Sequence, residues 1–191
     1  DCVLDLNGMF AFALWDKKRQ RLLVARDRLG IKPLSYMPVP GGVLFGSEIK
    51  SILQYQAMSP SLDPQALHDY LTWMYVPAPR SIYRGTFKLM PGHLMTFSEG
   101  EGLRTRQYWD LPQPEETSLD EGALCDRLDA TLSAAVERQM VSDVPVGAYL
   151  SGGLDSSLVT ALMGKFSSAP VKTFSIGYDA PEDQSYNELK A

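Results

Sequence analysis

The chain has 191 residues, 45% of them hydrophobic, which is enough for one large domain or two small ones built on ordinary cores. Its formal charge of -5 is modest and its 18 Lys and Arg are scattered, which excludes the basic stripe of a nucleic-acid-binding surface. Two distant cysteines, Cys2 and Cys125, exclude a disulfide framework, and no apolar run approaches the roughly 18 residues of a spanning helix. A cytoplasmic protein with no nucleic-acid or membrane partner is expected. Asp1 to Asp5 has neither an initiator Met nor the basic start of a secretory signal, and Asn187 to Ala191 stops within an expected helix, so the chain reads as an internal piece of a longer protein.

From Met9 to Gly46, short apolar runs at Met9 to Trp15, Leu22 to Ala25, Leu34 to Met37 and Val43 to Phe45 are separated by polar turns and predict an antiparallel meander. Ser47 is the expected cap of a short helix. Asp63 is the expected N-cap of another that opens on Pro64, with Leu67, Tyr70, Leu71 and Met74 as its buried face. The prolines of Val76 to Arg80 break that helix, and extended segments come next at Leu94 to Phe97 and Leu103 to Trp109. Leu111 to Glu116 reads as a linker, dividing the chain into 1–112 and 113–191. Beyond it, Ser118 and Glu121 have the spacing of a capping box, and Leu124, Leu128, Leu132, Val136 and Met140 recur every four residues of one helix. On that helix Cys125 is expected to pack as a small hydrophobe. Val144 to Leu150, Asp155 to Phe166 and Val171 to Gly177 then predict strand, helix and parallel strand. The expected class is α+β followed by α/β. His68, on the second helix, and His93, in a Pro-Gly-His turn, read as structural.

The run Ser151-Gly152-Gly153-Leu154-Asp155-Ser156-Ser157 falls between the predicted strand and helix, the place where open parallel sheets bind ligands. The two glycines permit unusual dihedrals and a close backbone approach to an anion, while Ser151, Ser156 and Ser157 add hydroxyl donors to the amides of a helix start. Asp155 would repel a polyphosphate unless a divalent cation lay between them, and Mg²⁺ is commonly held by one or two carboxylates plus phosphate oxygens. A tight turn with an ordinary N-cap is the plainer account of a bare glycine pair. No Lys comes after the glycines, so the loop is not the G-x-x-x-x-G-K-[ST] nucleotide loop.

The loop resembles the S-G-G-x-D-S-S loop of the ATP pyrophosphatases, enzymes that cleave ATP between its α and β phosphates to adenylate an oxygen of the substrate. That loop is shared by NAD synthetases, GMP synthetases and tRNA-modifying enzymes. The flanks narrow the choice: Asp143-Val144-Pro145-Val146-Gly147 and Phe174-Ser175-Ile176-Gly177 resemble segments of asparagine synthetases. Leu6 to Ala13, Ala25 to Leu34 and Phe45 to Lys50 resemble the late portion of the class II glutamine amidotransferase domain of the same enzymes, and Tyr75 to Arg80 with Lys88 to His93 resembles the segment next to it in bacterial members. The resemblance implies the C-terminal part of an antiparallel N-terminal-nucleophile amidotransferase domain, then the start of a parallel-sheet, adenine nucleotide hydrolase-like synthetase domain. The implied activity is a ligase with glutamine as amido donor: aspartate and ATP give β-aspartyl-AMP and pyrophosphate, and glutamine-derived ammonia then forms asparagine.

On this chain the resemblance assigns Ser151, Gly152, Gly153, Asp155, Ser156 and Ser157 to the pyrophosphate of ATP, with Asp155 reaching Mg²⁺ through it. It assigns the backbone groups of Leu150 and Ile176 to the adenosine. Glutamine and aspartate are the implied substrates, and a homodimer is compatible with the resemblance. The loop reads phosphate and not the acid, so a relative adenylating another carboxylate, such as a β-lactam synthetase-like enzyme, stays open, as does a non-catalytic module. The family's glutaminase nucleophile is a cysteine at a processed N-terminus, using its own α-amino group as base. Cys2 departs from that pattern, because Asp1 precedes it and Val3 stands where the family has glycine. The nucleophile is expected upstream and the aspartate pocket downstream, so the isolated chain is expected to be inactive. Glu182, Asp183, Tyr186 and Glu188 resemble the family's acidic segment.

Overall fold

A computed structural model describes residues 2–55, 60–114 and 117–177. The chain divides into two compact units, Asp1–Pro114 and Glu115–Ala191.

In the first unit a short 3-10 turn (Cys2–Leu4) precedes β1 (Ala11–Asp16) and β2 (Arg21–Arg26), an antiparallel hairpin. The Asp16 carboxylate folds its turn by accepting hydrogen bonds from the amides of Lys18 and Arg19 at 2.9 and 3.0 Å. A second hairpin, β3 (Ser35–Val39) and β4 (Gly42–Gly46), turns at Pro40-Gly41, where Gly41 takes φ +72° at no steric cost. Two short helices come next, α1 (Ile49–Ile52) and α2 (Pro64–Trp73), then β5 (Phe87–Lys88), β6 (His93–Ser98) and β7 (Gly102–Gln107). The expected single meander is thus two antiparallel sheets, ordered β1-β2-β6-β7 and β4-β3-β5. Val24 and Met95 from the first sheet meet Leu34 and Leu89 beside the second in one buried cluster, and Val3, Ala25 and Leu94 form another on the opposite face of the four-stranded sheet. Alternation along β2 explains the split, since Val24 and Ala25 point to opposite faces and both are buried.

The segment Arg26 to Pro33 is tied together by its own side chains. Asp27 is 1% exposed, and its carboxylate accepts the amides of Ile31 and Lys32, each at 2.9 Å. Its carbonyl accepts the amides of Gly30 and Gly92. Burial pushes the Asp27 carboxyl up, but backbone hydrogen bonds from Lys32, Ile31, Phe10 and Gly30 outweigh it and hold the group below the usual aspartate range. The Arg26 guanidinium donates to the carbonyls of Lys32, Gly30 and Leu89, and the Tyr108 hydroxyl donates to the Arg26 carbonyl at 2.7 Å. Burial lowers the Arg26 pKa while the neighbouring Asp27 charge raises it, and an arginine so placed stays protonated. These side chains satisfy the backbone of a tight connection and tie it to Leu89, just past β5, and to Tyr108, just past β7.

Several local expectations are corrected. The cap of α1 is Glu48, in extended conformation with no side-chain cap; Ser47 does not serve, and Ser51 donates back to the Glu48 carbonyl instead. Asp63 does cap α2, accepting from the amides of Gln65 and Ala66, with Pro64 in the first turn. Its buried residue is Ala66, however, while Leu71 and Met74 are 71% and 76% exposed and Leu67 and Tyr70 are also exposed. The helical period is present, but the apolar stripe does not face the core. His68 is exposed on α2, and the Nδ1 of His93 lies 2.8 Å from the Pro91 carbonyl, closing its turn.

In the second unit, α3 (Glu121–Gln139) is followed by β8 (Gly147–Tyr149), α4 (Leu154–Phe166) and β9 (Lys172–Phe174). The cap of α3 is Asp120, accepting from the Ala123 amide at 2.8 Å, so the expected Ser118–Glu121 box does not form. Val136, Leu162 and Met163 form the core between α3 and α4, joined by Leu132, Met140, Ala148 and Val171. Leu124 and Leu128, on the earlier turns of the α3 stripe, are exposed, and so is Cys125, against the expectation that it packs inside. β8 and β9 pair in parallel, with Tyr149 opposite Phe174. β8 is shorter than expected: Val144 to Val146 stays irregular, because Pro145 has no amide to give a ladder. Among the described residues, no helix is long and apolar enough to cross a membrane.

Candidate nucleotide-binding loop

The loop from Ser151 to Ser157 leaves the C-terminal end of β8 and enters α4. Two glycines shape its approach for distinct reasons. Gly152 takes φ +79°, a left-handed conformation that a side chain would strain. Gly147, inside β8, is required by packing: a Cβ there would lie 2.8 Å from both the Lys172 carbonyl oxygen and the Phe174 ring. Gly153 is the N-cap of α4 and has no side chain to cap it, so the first-turn amides are left for solvent or an anion.

The hydroxyls divide into two groups. The Ser151 amide donates to Ser156 Oγ at 3.3 Å, the two hydroxyl oxygens are 3.1 Å apart, and Ser156 Oγ donates to the Gly153 carbonyl at 3.1 Å. Ser151 and Ser156 therefore brace the loop against itself. The side chains of Asp155 and Ser157 are exposed at the start of α4 and engage no hydrogen-bond partner among the described residues. A lone carboxylate next to free amides and a glycine backbone has the donor set for a cation shared with a polyphosphate, rather than for an all-protein metal cage. Among the described residues there is no cluster of three His, Cys, Asp or Glu suited to a metal ion.

Leu150 and Ile176 both leave the C-terminal edge of the parallel pair. The Leu150 amide donates to the Phe174 carbonyl at 2.9 Å, and the Leu150 carbonyl accepts from Ser175 Oγ at 2.6 Å. Leu150 is thus held on both sides of its backbone, whereas Ile176 is 72% exposed. The sequence marks Ser175 within the Phe174-Ser175-Ile176-Gly177 run but gives its hydroxyl no role; its place one residue past a strand, opposite the loop entrance, brings it to Leu150. A concavity of about 580 Å³ runs beside the loop between α3, β8 and α4, walled by Leu132, Val136, Met140, Tyr149 and Val159 and reaching Asp155 and Ser156. Its wall is mostly apolar, with Gln139, Asp155 and Ser156 among its polar members. Glu182, Asp183, Tyr186 and Glu188 lie outside the described residues.

Comparison with known proteins finds two family models along the chain. The family model of the glutamine amidotransferase domain matches residues 1–109, and that of asparagine synthase matches residues 127–191. The chain is 40% identical to asparagine synthetase [glutamine-hydrolyzing] 3 of Bacillus subtilis, covering 100% of this chain and 31% of the relative. It is 38% identical to a putative asparagine synthetase [glutamine-hydrolyzing] 2 of Methanocaldococcus jannaschii, over 97% of this chain and 36% of the relative. It is also 38% identical to the amidase chyE of Penicillium rubens, over 83% of this chain and 23% of that protein. The chain therefore spans about a third or less of the length of these curated relatives.

Proposed function

The chain belongs to the glutamine-hydrolysing asparagine synthetase family, and from that premise we propose that it supplies the pyrophosphate-gripping part of an enzyme that makes asparagine from aspartate, ATP and glutamine-derived ammonia. The observation that carries the proposal is the exposed Gly152-Gly153 loop, which runs from a parallel strand into a helix with no side-chain cap. In this reading residues 1–112 belong to the amidotransferase domain, of the N-terminal-nucleophile type, and its connecting segment. Residues 113–191 begin an adenine nucleotide hydrolase-like synthetase domain of a cytoplasmic enzyme.

The backbone amides of the loop and the first turn of α4 receive the β and γ phosphates, and Ser157 adds a hydroxyl without a hydrogen-bond partner among the described residues. Because these donors are already oriented, they stabilise the charge that grows on pyrophosphate as the aspartate carboxylate displaces it from the α phosphorus to form β-aspartyl-AMP. Ser151 and Ser156 hold the loop in shape and can turn toward phosphate oxygens once these replace their mutual contact. Asp155 is placed to bind Mg²⁺ together with pyrophosphate oxygens. Bound there, Mg²⁺ would neutralise phosphate charge and make the leaving group a better one. The exposed backbone of Ile176 and the strand edge at Leu150 border the adenosine.

A second reading is a related amidotransferase or β-lactam synthetase-like enzyme adenylating another carboxylate, since the loop holds phosphate and not the acid, and one relative carries a name other than asparagine synthetase. Exchange of labelled pyrophosphate into ATP by the full-length protein decides between them. Aspartate-dependent exchange supports asparagine synthesis; exchange with a different acid alone supports the second reading; absence of nucleotide binding overturns both.

A further inference from the structure

The Leu150 carbonyl and the Ser151 amide are the two ends of one peptide group, the one through which the chain enters the anion loop. Each end is held by a different serine. From the neighbouring strand end, Ser175 Oγ donates to the carbonyl at 2.6 Å. From the first turn of α4, Ser156 Oγ accepts the amide at 3.3 Å, and it passes its own proton to the Gly153 carbonyl at 3.1 Å. The result is a chain of hydrogen bonds that starts on a hydroxyl outside the loop, crosses a peptide plane and ends on the N-cap of α4. The same strand edge is reinforced one peptide earlier by the Leu150 amide on the Phe174 carbonyl at 2.9 Å.

A peptide plane clamped at both ends cannot rotate without breaking two hydrogen bonds. The plane that follows, Ser151–Gly152, leads into a residue with φ +79° and no side chain to restrict it, so fixing the Leu150–Ser151 plane sets the direction from which the chain enters its most permissive position. Hydrogen bonds in series also polarise one another, so the Ser175 donor strengthens the hold of Ser156 on the far side of the plane. We propose that Ser175 is a positioning residue for pyrophosphate binding: its hydroxyl orients the Leu150–Ser151 peptide and thereby presets the loop, without touching the phosphates itself. The inference rests on the reading of the loop as a pyrophosphate site.

Two variants of the full-length protein test it, S175A and S175T. Ser175 is exposed, so either side chain can be accommodated without disturbing the core. Removing a hydrogen bond that orders the loop should weaken binding of ATP and of inorganic pyrophosphate by roughly three- to tenfold in S175A. AMP, which makes no demand on the pyrophosphate loop, should lose clearly less affinity than pyrophosphate in S175A, because the Leu150 strand edge stays held by its amide on the Phe174 carbonyl, and S175T, which keeps the donor, should recover pyrophosphate affinity. Parental pyrophosphate affinity in S175A overturns the proposal. So does an equal loss in both variants, an equal loss of AMP and pyrophosphate binding, or unfolding of S175A, since each makes the hydroxyl a general structural element or an irrelevant one. If the parent itself fails to bind pyrophosphate, the reading of the loop falls instead.

Discussion

Replacing Asp27 by Asn tests the account of how the first unit is held together. The carboxylate is 1% exposed and accepts one backbone amide on each oxygen, from Ile31 and from Lys32 at 2.9 Å. Asn keeps one acceptor oxygen, so one of these bonds is lost, and the new NH₂ group is set against an amide donor. Hydrogen bonds to a charged group contribute about 1.5–3 kcal/mol each, and a buried donor without an acceptor costs a further ~1–3 kcal/mol unless the loop shifts. Partial relaxation brings the expected destabilisation to about 2–4 kcal/mol, or on the order of 10 °C in Tm for a unit of this size. All three tryptophans, Trp15, Trp73 and Trp109, lie in this unit, so their fluorescence during thermal unfolding reports on it. The pH dependence has a definite sign. Because the folded carboxyl titrates below its ordinary 3.8, its stabilisation is complete above about pH 4 and is lost as pH falls from there through the lower folded value. D27N should flatten that part of the acid limb. A Tm within about 2 °C of the parent, less than half the shift expected for even 1 kcal/mol, with an unchanged acid limb, would refute the assignment of Asp27 as the organiser of this turn.

Asp155→Asn should leave Tm unchanged, because the exposed carboxylate has no partner among the described residues, and should weaken Mg²⁺-dependent pyrophosphate binding by roughly tenfold; titration with and without Mg²⁺ checks this, and an unchanged Mg²⁺ dependence removes Asp155 from the role. Gly92→Ala should destabilise the first unit by about 2 kcal/mol or more, since Gly92 has φ +64° and a Cβ there would lie 2.4 Å from the Trp109 carbonyl oxygen. Thermal unfolding followed at tryptophan reads the loss. Asp120→Ala should cost α3 about 1 kcal/mol, seen as earlier melting of helical circular dichroism, while Ser118→Ala should have no effect; the reverse order would restore the capping box in place of the observed cap.

Local chemistry carries far in this chain. Asp63 before Pro64 announces a helix start, and the Asp63 side chain meets the first-turn amides as that pairing requires. Pro40-Gly41-Gly42 marks a hairpin, and the S-G-G-x-D-S-S run lies between a strand and a helix. Such features depend on dihedral preference and on bonds between near neighbours, and these travel with the residues themselves. Competing caps are harder to separate: Ser118 and Asp120 are both good N-caps two residues apart, and the sequence offers no measure of where the first turn of α3 begins.

Burial and partnership are decided elsewhere. The apolar stripe of α2 has a helical period but faces away from the core, because periodicity specifies a face and not what covers it. A single meander is a natural reading of alternating strands, yet β2 pairs with the distant β6, and β3 pairs with β5. Those partners are selected by cross-strand packing of Val24, Met95, Leu34 and Leu89, a long-range energy that no local pattern encodes. The Ser151–Ser157 loop shows both sides. Its glycines, hydroxyls and lone carboxylate are legible as chemistry, whereas the clamp on its entrance needs Ser175, far along the chain from Ser151, to arrive at the adjacent strand end. Residue type specifies the groups the loop presents; only the pairing of β8 with β9 decides what holds it in shape.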